Sequence, residues 1–115
     1  MRHCLTLDLK DDPVAIESYD RYHADVWPEV LADLREIGID DMTIWRRGTR
    51  MVMLIETPDD FDLRKLAGSP DSHPRVKAWG QLMGTFFKPL ADADFVGVWQ
   101  PMREVFRMSE QIARP

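Results

Sequence analysis

The chain has 115 residues, 44% hydrophobic and 30% charged, with a formal net charge of −5 at pH 7. That supports one hydrophobic core and not two, because a domain of this size buries only about two-thirds of its unfolded surface, so a substrate cleft is expected at an edge or a subunit interface. The acidic balance without any long Lys/Arg block argues against nucleic acid or an anionic membrane as partner, and Cys4, the only cysteine, excludes an intrachain disulfide and a cysteine-based zinc cluster.

Leu5, Leu7 and Leu9 alternate with Thr6 and Asp8, the period of a strand. Asp12-Pro13 supplies an N-cap and a proline at the first helical position, where a missing N–H costs nothing, so a helix is predicted from Pro13. It carries Ile16, Tyr19, Tyr22, His23 and Val26 and breaks at Trp27-Pro28, because Pro28 disfavours helical angles at the residue before it. A second helical segment follows, with Val30, Leu31, Leu34 and Ile37 as its apolar stripe and Gly38 as its stop.

Residues 42–47 and 51–56 are two runs of β-formers separated by Gly48-Thr49-Arg50, which reads as a hairpin. Thr57-Pro58-Asp59-Asp60 is expected to open a short helix containing Phe61 and Leu66, and Ser72-His73-Pro74 another bearing Val76, Trp79, Met83, Phe86 and Phe87. Residues 88–97 read as a loop with enough apolar content in Phe95, Val98 and Trp99 around it to fold over something. Residues 103–108 are predicted as the last strand of a single domain spanning 1–108, with 109–115 as a polar tail.

The order is β-α-β-β-α-β, the split arrangement of a ferredoxin-like α+β fold with helices on one face of an antiparallel sheet. Residues 51–55 are apolar at both parities, Met51, Met53 and Ile55 on one side and Val52 and Leu54 on the other. Two-sided apolarity needs a second cover, most simply another copy of the chain, so a homodimer with sheets face to face is expected. No apolar run reaches the length of a signal peptide or a membrane span, and a cytoplasmic location is expected.

Tyr19 and His23 are four apart, about 40° around a helix, and so converge on one small ligand. An imidazole both gives and takes a proton near neutral pH, although His23 could equally cap or pack a broken helix. Trp27 and Trp79 are the kind of indole that packs on the C–H face of a sugar ring, while Trp79 is also in phase with Val76 and Met83 as core. His3, His23 and His73 fall on different elements without a zinc-type spacing, no phosphate loop or nucleophile elbow is present, and Cys4 reads as a core or interface residue. No metal or cofactor is expected.

The segment Tyr19-x-x-x-His23-x-x-x-Trp27-Pro28-Glu29-Val30 resembles the helix signature of the L-rhamnose mutarotase family. His73-Pro74-Arg75-Val76-x-x-Trp79-x-x-Leu82-Met83 and Glu104-Val105-Phe106 resemble its later segments, in order and spacing, over nearly the whole chain. The resemblance implies a cofactor-free dimeric α+β barrel, with His23 as proton donor, Tyr19 contacting the sugar and Trp79 in the pocket; ring opening then has His23 protonate the ring oxygen while Tyr19, an Asp such as Asp25, or water handles the anomeric hydroxyl. It departs at Met42, where rhamnose-specific members carry a tyrosine, and at Gly80, where they carry a second tryptophan. Both changes remove bulk, so the resemblance implies a mutarotase of a 6-deoxy-L-hexose, L-fucose or L-rhamnose, with a slight lean to L-fucose. Rival readings are a monooxygenase of similar barrel architecture, testable by haem titration, and a non-catalytic small-ligand-binding domain.

Overall fold

The computed structural model describes residues 1–114. Its first strand, β1 (Arg2–Leu9), is followed by helix α1 (Pro13–His23), which Asp12 caps through its carboxylate to the Val14 N–H at 3.0 Å. The break then falls where proline requires it: Trp27 has φ −58° and ψ 136°, an extended conformation, and Pro28 begins α2 (Pro28–Glu36). Gly38, with φ +108°, ends α2, while the Ile39 N–H reaches back to the Leu34 carbonyl at 3.0 Å. This glycine-dependent reversal tucks Ile39 into the core.

Strands β2 (Asp41–Arg47) and β3 (Arg50–Glu56) form the expected hairpin, tightened to a Gly48-Thr49 loop because Arg47 pairs with Arg50. Gly48 has φ +58°, which the first position of such a two-residue turn requires. Helix α3 (Pro74–Gly84) is capped by His73, whose Nδ1 accepts the Arg75 N–H at 3.0 Å. Phe86 and Phe87 lie beyond its end, and Phe87 belongs to the strand β4 (Phe87–Lys88).

Two expectations are corrected. The helix expected from residue 57 is only a 3-10 turn at Leu63–Ala67, capped by Asp62. The last strand is not residues 103–108, which carry no regular structure until helix α4 (Met108–Ile112), but β5 (Gln100–Pro101). Lys88 pairs with Asp8 and Gln100 with Thr6, and the Met102 N–H donates to the Cys4 carbonyl at 2.8 Å. β4 and β5 are therefore one edge strand interrupted by residues 89–99, which loop out and return beside the point of departure. Pro101 is tolerated because an edge position has no second neighbour to supply with an N–H.

The sheet order is β2-β3-β1-β4, with β5 also on β1, all antiparallel, as the ferredoxin-like βαββαβ fold requires. Leu5, Leu7, Leu9, Met51, Met53 and Ile55 face the helices and are at most 2% exposed. Burying such a side chain contributes about 1.5–3 kcal/mol, and the row holds α1, α2 and α3 to the sheet through Tyr19, Val30, Trp79 and Met83. The opposite face, with Cys4, Val52, Leu54 and Trp45, carries no helix among the described residues, and Trp45 is 65% exposed.

Candidate active site

Between the helices and the sheet lies a cavity of about 960 Å³ whose wall includes Tyr19, His23, Met42, Met53, Trp79 and Gly80. The last turn of α1 sets its chemistry. The Tyr19 and His23 rings stack with centroids 4.0 Å apart and planes 26° apart, and His23 Nδ1 lies 2.9 Å from the Tyr19 carbonyl oxygen. A carbonyl only accepts, so Nδ1 carries a hydrogen whatever the charge of the ring, and the assigned tautomer leaves Nε2 as the exchangeable nitrogen. Among the described residues Nε2 has no protein partner.

Burial lowers the pKa of His23 below 6.5, outweighing the Tyr19 carbonyl and the Asp20 carboxylate, which act in the other direction. The imidazole is thus neutral near pH 7, with a free lone pair on Nε2. Tyr19 is only 3% exposed, and burial, with a smaller effect from Asp20, raises its phenol well above the usual value of 10. It stays a phenol at cellular pH and offers a hydrogen bond rather than a proton. Asp20 itself is turned away to Arg46 of β2, whose Nε donates to Asp20 Oδ1 at 2.9 Å.

Trp79 of α3 is at once core and cavity wall. It is 9% exposed, packs with Leu7, Leu9 and Met83, and meets His23 edge-on at 5.4 Å. Trp27 is not on the wall: it stands behind Trp79, with ring centroids 5.1 Å apart and the Arg75 guanidinium 3.9 Å above its own ring. The stack orients Trp79 from the rear, worth about 0.5–1.5 kcal/mol per aromatic pair beyond burial. Gly80 lies on the wall with open space around it, since a side chain there would meet nothing within 4 Å. Asp25 is exposed beyond the end of α1 and does not reach the cavity.

The loop expected over residues 88–97 does fold over something, and what it covers, which the sequence left open, is the cavity. Phe95, Val98 and Trp99 close one side of the cavity, and Gly97 abuts Ala67 from the 3-10 turn. One side chain organises this loop: Gln100, 6% exposed, accepts the Asp94 and Phe95 N–H groups at 3.1 and 3.0 Å and donates to the Gly97 carbonyl at 3.1 Å. The apolar residues inside an otherwise loop-like composition were the only signal. His3 and His73 lie elsewhere, and among the described residues no three His, Cys, Asp or Glu side chains gather as a metal site. Among the described residues no helix is long and apolar enough to cross a membrane.

The sequence pattern of the L-rhamnose mutarotase family matches residues 2–108. The chain is 38% identical to an L-fucose mutarotase of Xanthomonas campestris pv. campestris, covering 97% of this chain and 91% of that one. It is 27% identical to an L-rhamnose mutarotase of Acidiphilium cryptum, covering 84% and 89%. The crystal structure of an L-rhamnose mutarotase from Formosa agariphila superposes with a TM-score of 0.67 at 22% identity, covering 94% of this chain and 98% of that one, a likeness of fold.

Proposed function

The chain belongs to the L-rhamnose mutarotase family and is an isomerase acting on sugars, and from that premise we propose that it interconverts the α and β anomers of a 6-deoxy-L-hexose, L-fucose in preference to L-rhamnose, with His23 as the acid–base group. The observation that carries this reading is the His23 ring itself, one nitrogen tied to a carbonyl and the other free on a cavity wall beside the Tyr19 phenol and the Trp79 indole. Ring opening of a hemiacetal needs no more: the anomeric hydroxyl loses a proton, the ring oxygen gains one, C1–C2 rotates, and the ring closes on the opposite carbonyl face. Such acid–base assistance supplies about 10²–10⁴-fold in rate.

Tyr19 donates a hydrogen bond to a sugar oxygen, and Trp79 offers its indole to the C–H face of the ring. Met42 and Met53 give the apolar surface that a C6 methyl group fits. The lean to L-fucose rests on the higher identity to the relative of that name and on the space at Gly80. The same reading includes a cytoplasmic homodimer paired through the uncovered sheet face.

Saturation transfer between anomer resonances, measured by proton NMR on L-fucose and L-rhamnose with wild type and His23→Ala, tests the function. Exchange above the spontaneous rate is expected for both sugars, faster for L-fucose, with His23→Ala reducing it by about 10²-fold or more. Acceleration of neither sugar, or acceleration that survives His23→Ala in full, overturns the reading.

A further inference from the structure

We propose that Arg46 is a positioning residue for the site. By clasping Asp20 it pins the last turn of α1 to the sheet and keeps the Asp20 carboxylate from pairing with His23. The inference rests on the mutarotase reading for its kinetic consequence, and it goes beyond that reading by giving a role to a side chain that does not line the cavity.

Arg46 is aimed by the parity of β2. Met42, Ile44 and Arg46 pair with Ile55, Met53 and Met51, so all three face the helices, and the first two are on the cavity wall. At the end of this row the guanidinium uses each of its nitrogens. Nε donates to Asp20 Oδ1 at 2.9 Å, Nη2 donates to Asp20 Oδ2, and Nη1 donates to the Gly48 carbonyl at 2.8 Å. The turn that supplies this carbonyl is itself tied down, since the Leu9 N–H donates to the Thr49 carbonyl at 2.8 Å. A planar guanidinium meets a carboxylate with two parallel bonds and so fixes direction as well as distance, which an ammonium does not. Among the described residues no other ion pair joins α1 to the sheet.

Asp20 stands three residues before His23, a spacing that puts two helical side chains side by side. Burial is the larger influence on both site rings, raising Tyr19 and lowering His23, and the Asp20 charge raises both. With Arg46 in place that charge is shared with a cation. Without it the carboxylate is free to turn along the helix and pair with the His23 imidazolium, so the ring holds its proton to a higher pH. The groups that face the ring from other elements are Trp79 of α3, which carries no charge, and, along the cavity wall, Lys77 of α3, Asp33 of α2 and Lys65 of the 3-10 turn. None of them is altered when Arg46 is replaced.

Stability is not what the clasp supplies. The Asp20 side chain is 49% exposed, and an ion pair open to water contributes little to folding. The fold therefore survives the loss of Arg46, and the change is read at His23.

The test is the titration of the His23 ring in the sugar-free protein by nitrogen–proton correlation NMR, with His23→Gln identifying its signal, alongside the pH profile of kcat/KM for anomer exchange of L-fucose and L-rhamnose. Arg46→Met is expected to raise the His23 midpoint by about half a unit and to move the inflection of the rate profile with it, while the melting temperature changes little. Arg46→Lys keeps the charge and loses the fork, so its midpoint should fall between wild type and Arg46→Met. Asp20→Asn combined with Arg46→Met should return the midpoint to the wild-type value or below. An unmoved midpoint in Arg46→Met, or a rise that persists in full in the double variant, overturns the role of Arg46 and leaves the mutarotase intact. A raised midpoint in a protein that accelerates neither sugar supports the clasp and overturns the mutarotase reading instead.

Discussion

At the residue scale His23 links stability to the same proton that the proposed chemistry uses. Its pKa is lowered by burial, so below 6.5 the unfolded chain binds a proton that the folded chain resists. Stability from this group is complete above pH 6.5 and is lost as pH falls through the lower, folded value. The melting temperature of wild type should therefore drop between pH 7 and 5 more than that of His23→Gln, read by thermal scans in matched buffers. His3 is also lowered by burial, and it contributes equally to both proteins, so the difference isolates His23. Parallel pH curves would mean that His23 charges as freely in the fold as in the unfolded chain. Tyr19 and His23 were legible in the sequence because a helical spacing of four dictates their meeting. The place of Trp27 was not: α1 ends at His23, and beyond a helix end periodicity no longer says which way a side chain points.

At the element scale the fourth strand was hidden by its own interruption. Val105 and Phe106 have the residue types of a strand, while Gln100-Pro101 does not, yet pairing with β1 is what decides and an edge accepts proline. The two-residue pieces β4 and β5 are too short to carry a period, whereas β1 and the β2–β3 hairpin were plain from alternation and turn chemistry. What the interruption gains is the loop 89–99, and Gln100 holds it as a strand neighbour would. Gln100→Ala removes the partners of the Asp94 and Phe95 N–H groups and the donor to Gly97, a loss of about 1–3 kcal/mol of local order. Amide hydrogen exchange across residues 94–98 is expected to quicken by about tenfold or more, and KM for the sugar to rise with kcat little changed. Gln100→Glu keeps the acceptors and loses the donor, so its loop should exchange at an intermediate rate. Unaltered exchange in Gln100→Ala would show that the loop is held by Phe95 and Trp99 packing instead.

At the scale of the whole molecule one chain leaves two apolar features unmatched. A compact chain of this length has a radius of gyration of about 13 Å, and the observed value is 15.3 Å with a longest extent of 51 Å. The excess fits an exposed C-terminal arm: Val105 is 89% exposed, Phe106 63%, Met108 61% and Ile112 72%. The other feature is the sheet face of Val52, Leu54 and Trp45, already readable from the double parity of residues 51–55. The proposed second copy would cover both at once, since a face-to-face sheet pair would bury Val52 and Leu54 and give each arm a surface to lie on, with apolar burial worth about 25 cal/mol per Å². Sedimentation equilibrium at micromolar concentration should then show a dimer. Leu54→Lys would place two charges in the contact by symmetry and shift the equilibrium to monomer without touching the helix-side core, because Leu54 pairs with Cys4 and Thr43 on the other face. A monomeric wild type would sink the pairing, and a dimeric Leu54→Lys would move the contact off this face. The cavity lies on the helix side of the sheet, so anomer exchange per chain in the monomeric variant then reports whether the second copy serves the site or only the stability of the sheet.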